Sequence, residues 1–376
     1  MVFIVGLTLI QPTINTPSKQ PVLSQEYYPM SQVLSIDLEK LTTYLELNID
    51  GFKGPMTLDK FPGGQSNPTY KVSAKSGAYV LRRQPPGKLL KSAHAVDREY
   101  KVLNALKDSD VPVAKVYHLC EDVSIIGSMF YVMEYCDGTV YWSASLAEIE
   151  TNERRTDIYN EMNKALVALH SVDVDAVGLS DYGKAGNYFE RQLGRWTSQY
   201  RVTELKKIDA MDELSQWLVN NLPDDDGRIC LVHGDFRLDN MMFAKDKAEV
   251  IAILDWELST LGHPYSDLAY QCMQLRMPSG MGSIDGLKDV DRASLGIPSE
   301  EEYVALYCQR MGIEKIAHWT FYLAFSFFRL AAIVQGVAKR ATQGNASNEN
   351  ANKVGAFVEP LAQMALQVIA KDKLSK

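Results

Sequence analysis

The feature of this sequence that most constrains its fold is a change of pattern near residues 136–139. Before this point, short apolar runs lie between turn-forming glycine, proline and asparagine residues, which is typical of strands joined by tight turns. After it, apolar residues recur every three or four positions, as on the buried face of a helix. The sequence therefore predicts an α+β chain with a small strand-rich lobe followed by a larger helical lobe.

Individual elements can be placed within this division. In the first lobe, we expect helices at 38–49 and 93–107 and strands at 69–74, 78–82, 113–118 and 129–135. In the second lobe, short strand signals at 229–232, 241–243 and 250–254 lie between helical patterns at 158–169, 300–311, 316–340 and 355–371. The expected parts are a poorly ordered extension (1–34), an N-lobe (35–137) and a C-lobe (138–376), and 376 residues suffice for two packed lobes.

Charge and composition exclude several classes of function. The formal charge is −8, from 39 basic and 47 acidic residues, whereas proteins that bind nucleic acid are usually basic. The apolar stretch 319–337 carries Arg329 near its middle, and because a charge is costly inside a bilayer we expect a buried core helix there and no membrane partner. Residues 1–10 contain no basic residue, so no signal peptide is expected. Five scattered cysteines indicate reduced thiols and a cytoplasmic protein: Cys120, Cys136, Cys230, Cys272 and Cys308.

The strongest chemical signal is the segment His233-Gly-Asp-Phe-Arg-Leu-Asp-Asn240, followed by Asp255 at the end of the next apolar run. His233, Asp235 and Asn240 have the H-x-D-x-x-x-x-N spacing of a kinase catalytic loop. Phosphoryl transfer needs a carboxylate that accepts the proton of a hydroxyl, which suits Asp235. It also needs oxygen ligands for Mg²⁺, which Asn240 and Asp255 can supply. Each of these residues alone is common in ordinary loops, but the four together favour catalysis.

These motifs resemble the aminoglycoside phosphotransferase and choline kinase-like family. The segments 79–87, 191–196 and 327–336 are similar to the kinase-like domain of acyl-CoA dehydrogenase family members ten and eleven, and the resemblance spans roughly residues 38–372. It implies a protein-kinase-like two-lobed fold, with a β-rich N-lobe and a helical C-lobe, and an enzyme that transfers phosphate from ATP or GTP to an alcohol group with Mg²⁺. No dehydrogenase domain is expected, because the chain stops at Lys376.

Several N-lobe residues can be assigned to nucleotide binding by position. Gly64, Ser66 and Asn67 lie just before the first clear strand, where a glycine-containing loop brings backbone N–H groups close to phosphates. A plain β-turn explains the same residues almost as well. Arg82 lies where a kinase strand carries its phosphate-binding lysine, and Glu99 on the next helix is placed to pair with it. A surface ion pair is the alternative.

The hinge and the surroundings of the loop give weaker signals. Glu134 and Cys136 lie at the expected hinge, where backbone groups would bind the nucleobase, so the choice between ATP and GTP stays open. His233 is expected to hold the catalytic loop by hydrogen bonds rather than to accept the proton. Asp267 is likewise expected to brace the loop. Asp239 and Glu257 are expected to support the metal ligands.

The acceptor is the least constrained part of the prediction. Arg191 and Arg195 lie on one face of a predicted helix beside Trp196, and Arg329 follows an aromatic run. Cations beside aromatic rings suit an anionic head and an acyl chain, and the resemblance implies a 4-hydroxyacyl-CoA and a place in acyl-CoA metabolism. The alternative is that the three arginines form buried ion pairs and Trp196 is core.

Two other functions are compatible with the same motifs. One is a nucleotide-binding pseudokinase or scaffold, which the unusual arginine at position 82 favours and the intact set of four loop residues opposes. The other is a protein kinase, which the absence of an A-P-E-like motif and the helical insertion at 140–222 oppose. The sequence gives no indication of the oligomeric state.

Overall fold

The N-lobe is an antiparallel sheet of five strands with one helix on each side. The computed structural model describes residues 36–61, 67–85, 94–279, 286–342 and 354–374. The strands, in the order β1-β2-β3-β5-β4 across the sheet, are β1 (Met56–Lys60), β2 (Thr69–Ala74), β3 (Gly77–Arg83), β4 (Val116–Cys120) and β5 (Phe130–Glu134). The helices are α1 (Leu38–Asn48), which the Asp37 side chain caps, and α2 (Val96–Leu106). The predicted extension at 1–34 lies outside the described residues.

The C-lobe consists mainly of helices around two short β-ladders. Its helices are α3 (Asn152–His170), α4 (Tyr188–Thr203), α5 (Asp209–Asn220), α6 (Tyr265–Gln274), α7 (Glu300–Met311), α8 (Trp319–Thr342) and α9 (Val358–Leu374). Its strands are β6 (Cys230–Val232), β7 (Met241–Phe243), β8 (Val250–Ile253) and β9 (Thr260–Gly262), which pair as β6 with β9 and β7 with β8. The predicted α+β fold with two lobes is confirmed.

Helix α8 forms the centre of the C-lobe. It is long and apolar enough to cross a membrane by length and composition, but 94% of its most apolar 18-residue window is buried inside the protein. It packs against α4, α5, α6 and α9, so a continuous apolar surface is covered on all sides. The sequence-based interpretation of this stretch as a core helix agrees with that packing.

The two lobes are joined through helix α2. One hydrophobic cluster lies between α1 and the sheet and includes Leu41, Leu45 and Phe130. The α2 residues Val102 and Leu106 belong instead to the large cluster that fills the C-lobe. Because α2 also contacts β4 and β5, it holds the sheet against the C-lobe. The position of α2 therefore fixes how far any N-lobe side chain lies from the catalytic loop.

Candidate active site

The catalytic loop lies between β6 and β7, and the β7–β8 ladder brings Asp255 to it. Met241 pairs with Ile253 in this ladder, and beyond that pair the amide of Leu254 donates a hydrogen bond to the carbonyl oxygen of Asn240 (2.8 Å). Asn240 and Asp255, which are fifteen positions apart in the sequence, therefore lie beside each other. The backbone of Asp255 is in the left-handed region (φ 64°), and a short 3₁₀ turn begins there. The chain therefore turns away from the path of β8 at Asp255.

Asp267 on α6 holds the start of the loop, as the sequence interpretation expected. Its carboxylate accepts hydrogen bonds from the amides of His233 (2.6 Å) and Gly234 (2.9 Å), and it is fully buried. Burial alone would raise the pKa of Asp267, but the neighbouring imidazoles of His170, whose Nε2 lies 3.5 Å from Oδ2, and of His233, with the hydrogen bond from the Gly234 amide, outweigh it, so the pKa is lower than usual. Gly234 has φ +85°, and a Cβ there would lie 2.7 Å from the carbonyl oxygen of Leu258, so glycine is required.

His233 is a positioning residue. Its Nε2 hydrogen-bonds to the carbonyl oxygen of Leu254 (2.8 Å), and its Nδ1 accepts from the amide of Asp235 (3.3 Å). Both ring nitrogens are therefore engaged by backbone groups, and the side chain is fully buried. His233 therefore holds the loop, as the sequence interpretation expected, and is removed from the candidate catalytic residues, because no nitrogen is left to accept a proton from a substrate.

Asp235 is a partly exposed carboxylate of the loop, and Asn240 holds one of its oxygens. Asn240 donates through Nδ2 to Asp235 Oδ2 (2.9 Å), and Arg237 Nε lies 3.5 Å from Oδ1. The side chain keeps 14% of its surface exposed, which leaves it accessible to a substrate hydroxyl. A carboxylate in this position can accept a proton during phosphoryl transfer.

Arg237 lies between two carboxylates of the same loop. In addition to its contact with Asp235, it donates to Asp239 Oδ2 at 2.7 Å. Burial opposes the charge of the guanidinium, but the negative charges of Asp239 and Asp235 outweigh it and raise the pKa of Arg237. Asp239 thus holds Arg237, which is a different contact from the predicted support of a metal ligand.

Arg82 is the centre of a buried ionic network that joins the two lobes. Its Nε lies 2.8 Å from Glu99 Oε2, and its Nη2 donates to Asp255 Oδ1 at 2.8 Å. The Glu99 side chain is 2% exposed and also accepts from Tyr131 (3.0 Å) and Asn67 (2.9 Å). The alternative of a surface ion pair is therefore wrong, because Glu99 lies on the inner face of α2 where the two lobes meet.

Asn67 occupies a different place from the one expected of a phosphate-binding loop. Its side chain is fully buried, with Nδ2 on Glu99 and Oδ1 3.2 Å from His94 Nδ1. Asn67 therefore positions Glu99. Because the Asn67 side chain is fully buried, it is not part of the surface that a nucleotide could contact. Gly64 and Ser66, the other two residues assigned to that loop, lie outside the described residues.

The predicted hinge follows β5. Glu134 is the last residue of β5, and its amide donates to the carbonyl oxygen of Lys115 (2.8 Å). Its side chain is exposed, whereas Cys136 is partly buried. Burial, with the nearby charge of Glu134, raises the pKa of Cys136 to about 11, so this thiol stays protonated at neutral pH. The chain then crosses to the C-lobe, where Thr139 exchanges two hydrogen bonds with Phe243.

The chemistry of the donors at Asn240 and Asp255 fits Mg²⁺. Within the described residues, no hydrogen bond engages Asn240 Oδ1 or Asp255 Oδ2, so one oxygen of each side chain is left for a ligand. Amide and carboxylate oxygens are the ligands that Mg²⁺ prefers, and it commonly takes one or two from the protein and the rest from phosphates and water. No group of three or more His, Cys, Asp or Glu side chains with metal-binding geometry occurs in the described part of the chain.

The four residues assigned to the acceptor do not all lie together. Arg195 and Arg329 lie over the ring of Trp196, with guanidinium carbons 5.5 and 5.7 Å from its centroid. Arg191 points elsewhere and donates to the carbonyl oxygens of Lys184 and Ala185. Arg329 is 7% exposed and donates to the carbonyl oxygen of Gly234, so it also braces the catalytic loop.

The alternative that these arginines form buried ion pairs is not supported. Among the described residues, no carboxylate lies within ion-pair distance of Arg191, Arg195 or Arg329. Although part of Arg195 is exposed, desolvation and the neighbouring charge of Arg329 lower its pKa. Trp196 is 3% exposed, and its indole Nε1 is buried without a hydrogen-bond partner. The cluster of Arg195, Trp196 and Arg329 is therefore composed of hydrogen-bond donors.

Comparison with known proteins identifies the family. A profile of the phosphotransferase enzyme family matches residues 57–303, a span that contains both the Arg82 network and the catalytic loop. The chain belongs to this family. A Ralstonia eutropha crystal structure, named as a candidate aminoglycoside phosphotransferase, is 46% identical and superimposes with a TM-score of 0.82 over 89% of this chain and 98% of that one. The fold and family together make this chain a phosphotransferase with an alcohol group as acceptor, as the motifs predicted.

The chain also matches part of two longer proteins. Mouse acyl-CoA dehydrogenase family member 10 is 48% identical over 345 residues, which are 92% of this chain and 32% of that protein. Human acyl-CoA dehydrogenase family member 11 is 40% identical over 337 residues, 88% of this chain and 43% of that protein. The chain thus spans less than half of either relative. The macrolide 2'-phosphotransferase MphH of Brachybacterium faecium, at 16% identity with a TM-score of 0.57, shows the common fold.

Two residues of this phosphotransferase site were not selected from the sequence. Arg237 follows Asp235 by two positions, and its place inside the loop motif is a signal that could have identified it. The second is Tyr270, a buried residue of α6 whose ring centroid lies 5.1 Å from the guanidinium carbon of Arg329. It lies three positions after Asp267 on α6, so a helical-face argument from Asp267 would have indicated it.

Proposed function

We propose that this phosphotransferase transfers the terminal phosphate of ATP or GTP to the hydroxyl of a hydroxyacyl-CoA, with Mg²⁺. The observation that carries the proposal is the juxtaposition of Asp235, Asn240 and Asp255 at the junction of the lobes, together with the donor cluster beside the same loop. The aminoglycoside phosphotransferase APH(4)-Ia, which has this fold, was solved with AMP-PNP, which supports a nucleoside triphosphate as phosphate donor.

Asp235 is proposed to orient the acceptor hydroxyl and to accept its proton as the oxygen attacks the terminal phosphorus. Asn240 holds one oxygen of this carboxylate, so the orientation of the group is set before the substrate binds. Proton acceptance by a positioned carboxylate contributes about 10²- to 10⁴-fold to the rate. The bond from phosphorus to the bridging oxygen of the nucleotide breaks, and the nucleoside diphosphate leaves.

Asn240 and Asp255 are the residues that would hold Mg²⁺. A bound Mg²⁺ would neutralise charge on the phosphates. Arg82 lies against Asp255 and Glu99, so its guanidinium is fixed beside the place of the phosphates. Arginine can bind phosphate through two hydrogen bonds, whereas lysine acts as a point charge.

The acceptor class follows from the donor cluster. Arg195, Arg329 and the indole Nε1 of Trp196 can only donate hydrogen bonds, and no carboxylate in the described residues neutralises the two guanidinium groups. Such a cluster favours an anionic acceptor and disfavours a polycationic aminoglycoside. The longer relatives named as acyl-CoA dehydrogenase family members support an acyl-CoA, whose phosphates are anionic.

A side-by-side phosphotransfer assay tests this proposal. The purified chain is incubated with Mg²⁺ and ATP or GTP and with a 4-hydroxyacyl-CoA, the free 4-hydroxy acid, choline or an aminoglycoside, and products are detected by mass spectrometry. We expect the phosphorylated 4-hydroxyacyl-CoA, and its loss in EDTA and in D255A. Transfer to choline or an aminoglycoside alone would contradict the acceptor assignment and leave the phosphotransferase assignment intact.

One observation favours a second candidate, a nucleotide-binding scaffold. Arg82 donates a hydrogen bond to one carboxylate oxygen of Asp255, a residue assigned to bind the metal. In a scaffold this ion pair would persist in the presence of Mg²⁺-ATP, and no acceptor would be phosphorylated. Nucleotide binding by calorimetry without transfer to any member of the panel is the result that would favour the scaffold.

A further inference from the structure

The two carboxylates that pair with Arg82 belong to different elements. Glu99 lies on α2, whereas Asp255 directly precedes the 3₁₀ turn Trp256–Leu258 in the C-lobe. Helix α2 packs against this turn. Because Arg82 reaches both carboxylates at 2.8 Å, its two ion pairs keep their geometry only if α2 and the turn stay at a fixed distance from each other.

A second set of contacts joins the same two elements, and Tyr182 is at its centre. This residue lies in the loop between α3 and α4 and is 2% exposed. Its hydroxyl lies 2.7 Å from Ser259 Oγ, directly after the turn, and 3.1 Å from the carbonyl oxygen of Arg98 on α2. The Ser259 hydroxyl in turn donates to the carbonyl oxygen of Trp256 (2.6 Å). One phenol therefore contacts both α2 and the turn that follows Asp255.

The Arg98 side chain covers this buried phenol. Its guanidinium carbon lies over the Tyr182 ring, 4.1 Å from the centroid. Its Nη2 donates to the carbonyl oxygen of Tyr182 at 2.8 Å and, more weakly, to that of Ser259 at 3.4 Å. We call Arg98, Tyr182 and Ser259 the α2 clasp. It connects α2 to the C-lobe without using any residue that contacts Arg82.

The place of the Tyr182 ring does not depend on its hydroxyl. The next residue, Gly183, packs so closely against β9 that a Cβ there would lie 2.6 Å from the amide nitrogen of Leu261. The ring also belongs to the large hydrophobic cluster of the C-lobe. Removal of the hydroxyl alone should therefore leave the ring in place and break only its contacts with α2 and with Ser259.

We propose that Tyr182 and Arg98 are positioning residues for nucleotide binding. The clasp holds α2 at a fixed distance from the turn and thereby keeps Glu99 and Asp255 at the spacing at which Arg82 pairs with both. The guanidinium is then fixed before the nucleotide binds, so less conformational freedom is lost on binding. This inference rests on the proposed function only in placing the nucleotide phosphates beside Arg82.

Calorimetry with Mg²⁺-ATP tests the proposal in Y182F and R98M. Each variant loses contacts of the clasp but keeps every residue of the Arg82 network. We expect the Kd for Mg²⁺-ATP to rise about 3- to 10-fold, the effect of one lost hydrogen bond. The KM of an acceptor that the wild type phosphorylates should change less than about twofold. Because Arg98 is exposed, R98M tests the proposal even if Y182F does not fold.

Both variants have a matched control. Y159F removes another buried tyrosine hydroxyl, which donates to a carbonyl oxygen within the C-lobe (2.6 Å). K101M removes an exposed ion pair between α2 and Asp181 (2.7 Å). We expect both controls to bind Mg²⁺-ATP like the wild type. An unchanged Kd in Y182F and R98M would overturn the proposal. An equal rise in Y159F would also overturn it, because the effect would then belong to the loss of any buried hydroxyl.

A measurement without nucleotide keeps this inference apart from the proposed function. In protein labelled with ¹⁵N-arginine, the Nε–Hε NMR signal that disappears in R82K belongs to Arg82. Its proton is buried against Glu99, and we expect its exchange with solvent to be about 3- to 10-fold faster in the two clasp variants than in the two controls. Equal exchange in all four would overturn the proposal. If the wild type binds no Mg²⁺-ATP, the proposed function fails, whereas the exchange measurement still tests the clasp.

Discussion

The arginines on the two sides of the active site differ in whether a carboxylate neutralises them. On the nucleotide side, Arg82 lies between the carboxylates of Glu99 and Asp255, both within 2.8 Å. On the acceptor side, Arg195 and Arg329 lie over Trp196, and no carboxylate among the described residues neutralises them. A buried charge that is already paired contributes to the architecture, whereas an uncompensated pair of like charges favours an anionic ligand.

The difference also separates stability from substrate binding. Removal of one partner of a buried ion pair leaves the other charge buried without compensation, which is strongly destabilising. Removal of a cation that repels its neighbour has no such cost. We therefore expect mutations on the nucleotide side to affect folding as well as turnover, and mutations on the acceptor side to affect chiefly the KM of the acceptor.

The largest expected effect lies between the two sides, at Asp235. D235N keeps the size of the side chain but removes the proton acceptor, so kcat should fall about 10²- to 10⁴-fold. Calorimetry should show nearly unchanged affinity for Mg²⁺-ATP. A variant that keeps most of its turnover would remove Asp235 from the catalytic role.

The R82M variant tests the nucleotide side, where Arg82 is paired with two carboxylates. This variant leaves Glu99 and Asp255 without their cation, and we expect the free energy of unfolding to fall by about 3–5 kcal/mol. Urea denaturation measures the effect. K101M is the matched control, because Lys101 pairs with Asp181 in solvent and should cause no measurable change. Equal stability of the two variants would contradict the structural role of the Arg82 network.

Asp267 gives a prediction that depends on pH. Its pKa in the folded protein lies below the usual 3.8, so its stabilising effect is fully present above about pH 3.8 and is lost as the pH falls through the folded-state value. D267N should lower the free energy of unfolding by about 2–3 kcal/mol at pH 7. The difference from the wild type should stay constant down to pH 5 and narrow only below about pH 3.8. A gap that closes between pH 7 and 5 would contradict the assignment.

The smallest expected effect is on the acceptor side, where no carboxylate among the described residues pairs with the arginines. R195M removes one of the two cations beside Trp196, and the KM of an anionic acceptor should rise about 5- to 10-fold, because a hydrogen bond from a solvent-exposed side chain contributes about 1 kcal/mol. The KM of the nucleotide and the stability should stay unchanged. R191M is the control, because Arg191 binds carbonyl oxygens of the preceding loop. An equal KM in both variants would show that Arg195 is not part of the acceptor site.

The sequence predicted most elements of the fold, and those that it missed depend on distant partners. Strand β2 lies at Thr69–Ala74 as predicted, and α7 at Glu300–Met311. Strand β1 was not predicted, because its apolar alternation is limited to Met56 and Leu58 and its backbone is satisfied by pairing with β2. Helix α5 was also missed, and its apolar face is covered by α8 and α9.

By itself, the sequence determined the spacing of His233, Asp235 and Asn240, because these residues belong to one loop in which Asn240 contacts Asp235 across only five positions. Only the tertiary structure decided what the arginines do. Arg82 meets Asp255 across 173 positions, and Arg329 meets Gly234 across 95. Whether a guanidinium is paired with a carboxylate, buried or available to a ligand depends on groups that come together only when α2 and α8 pack. No local sequence pattern identifies those neighbours.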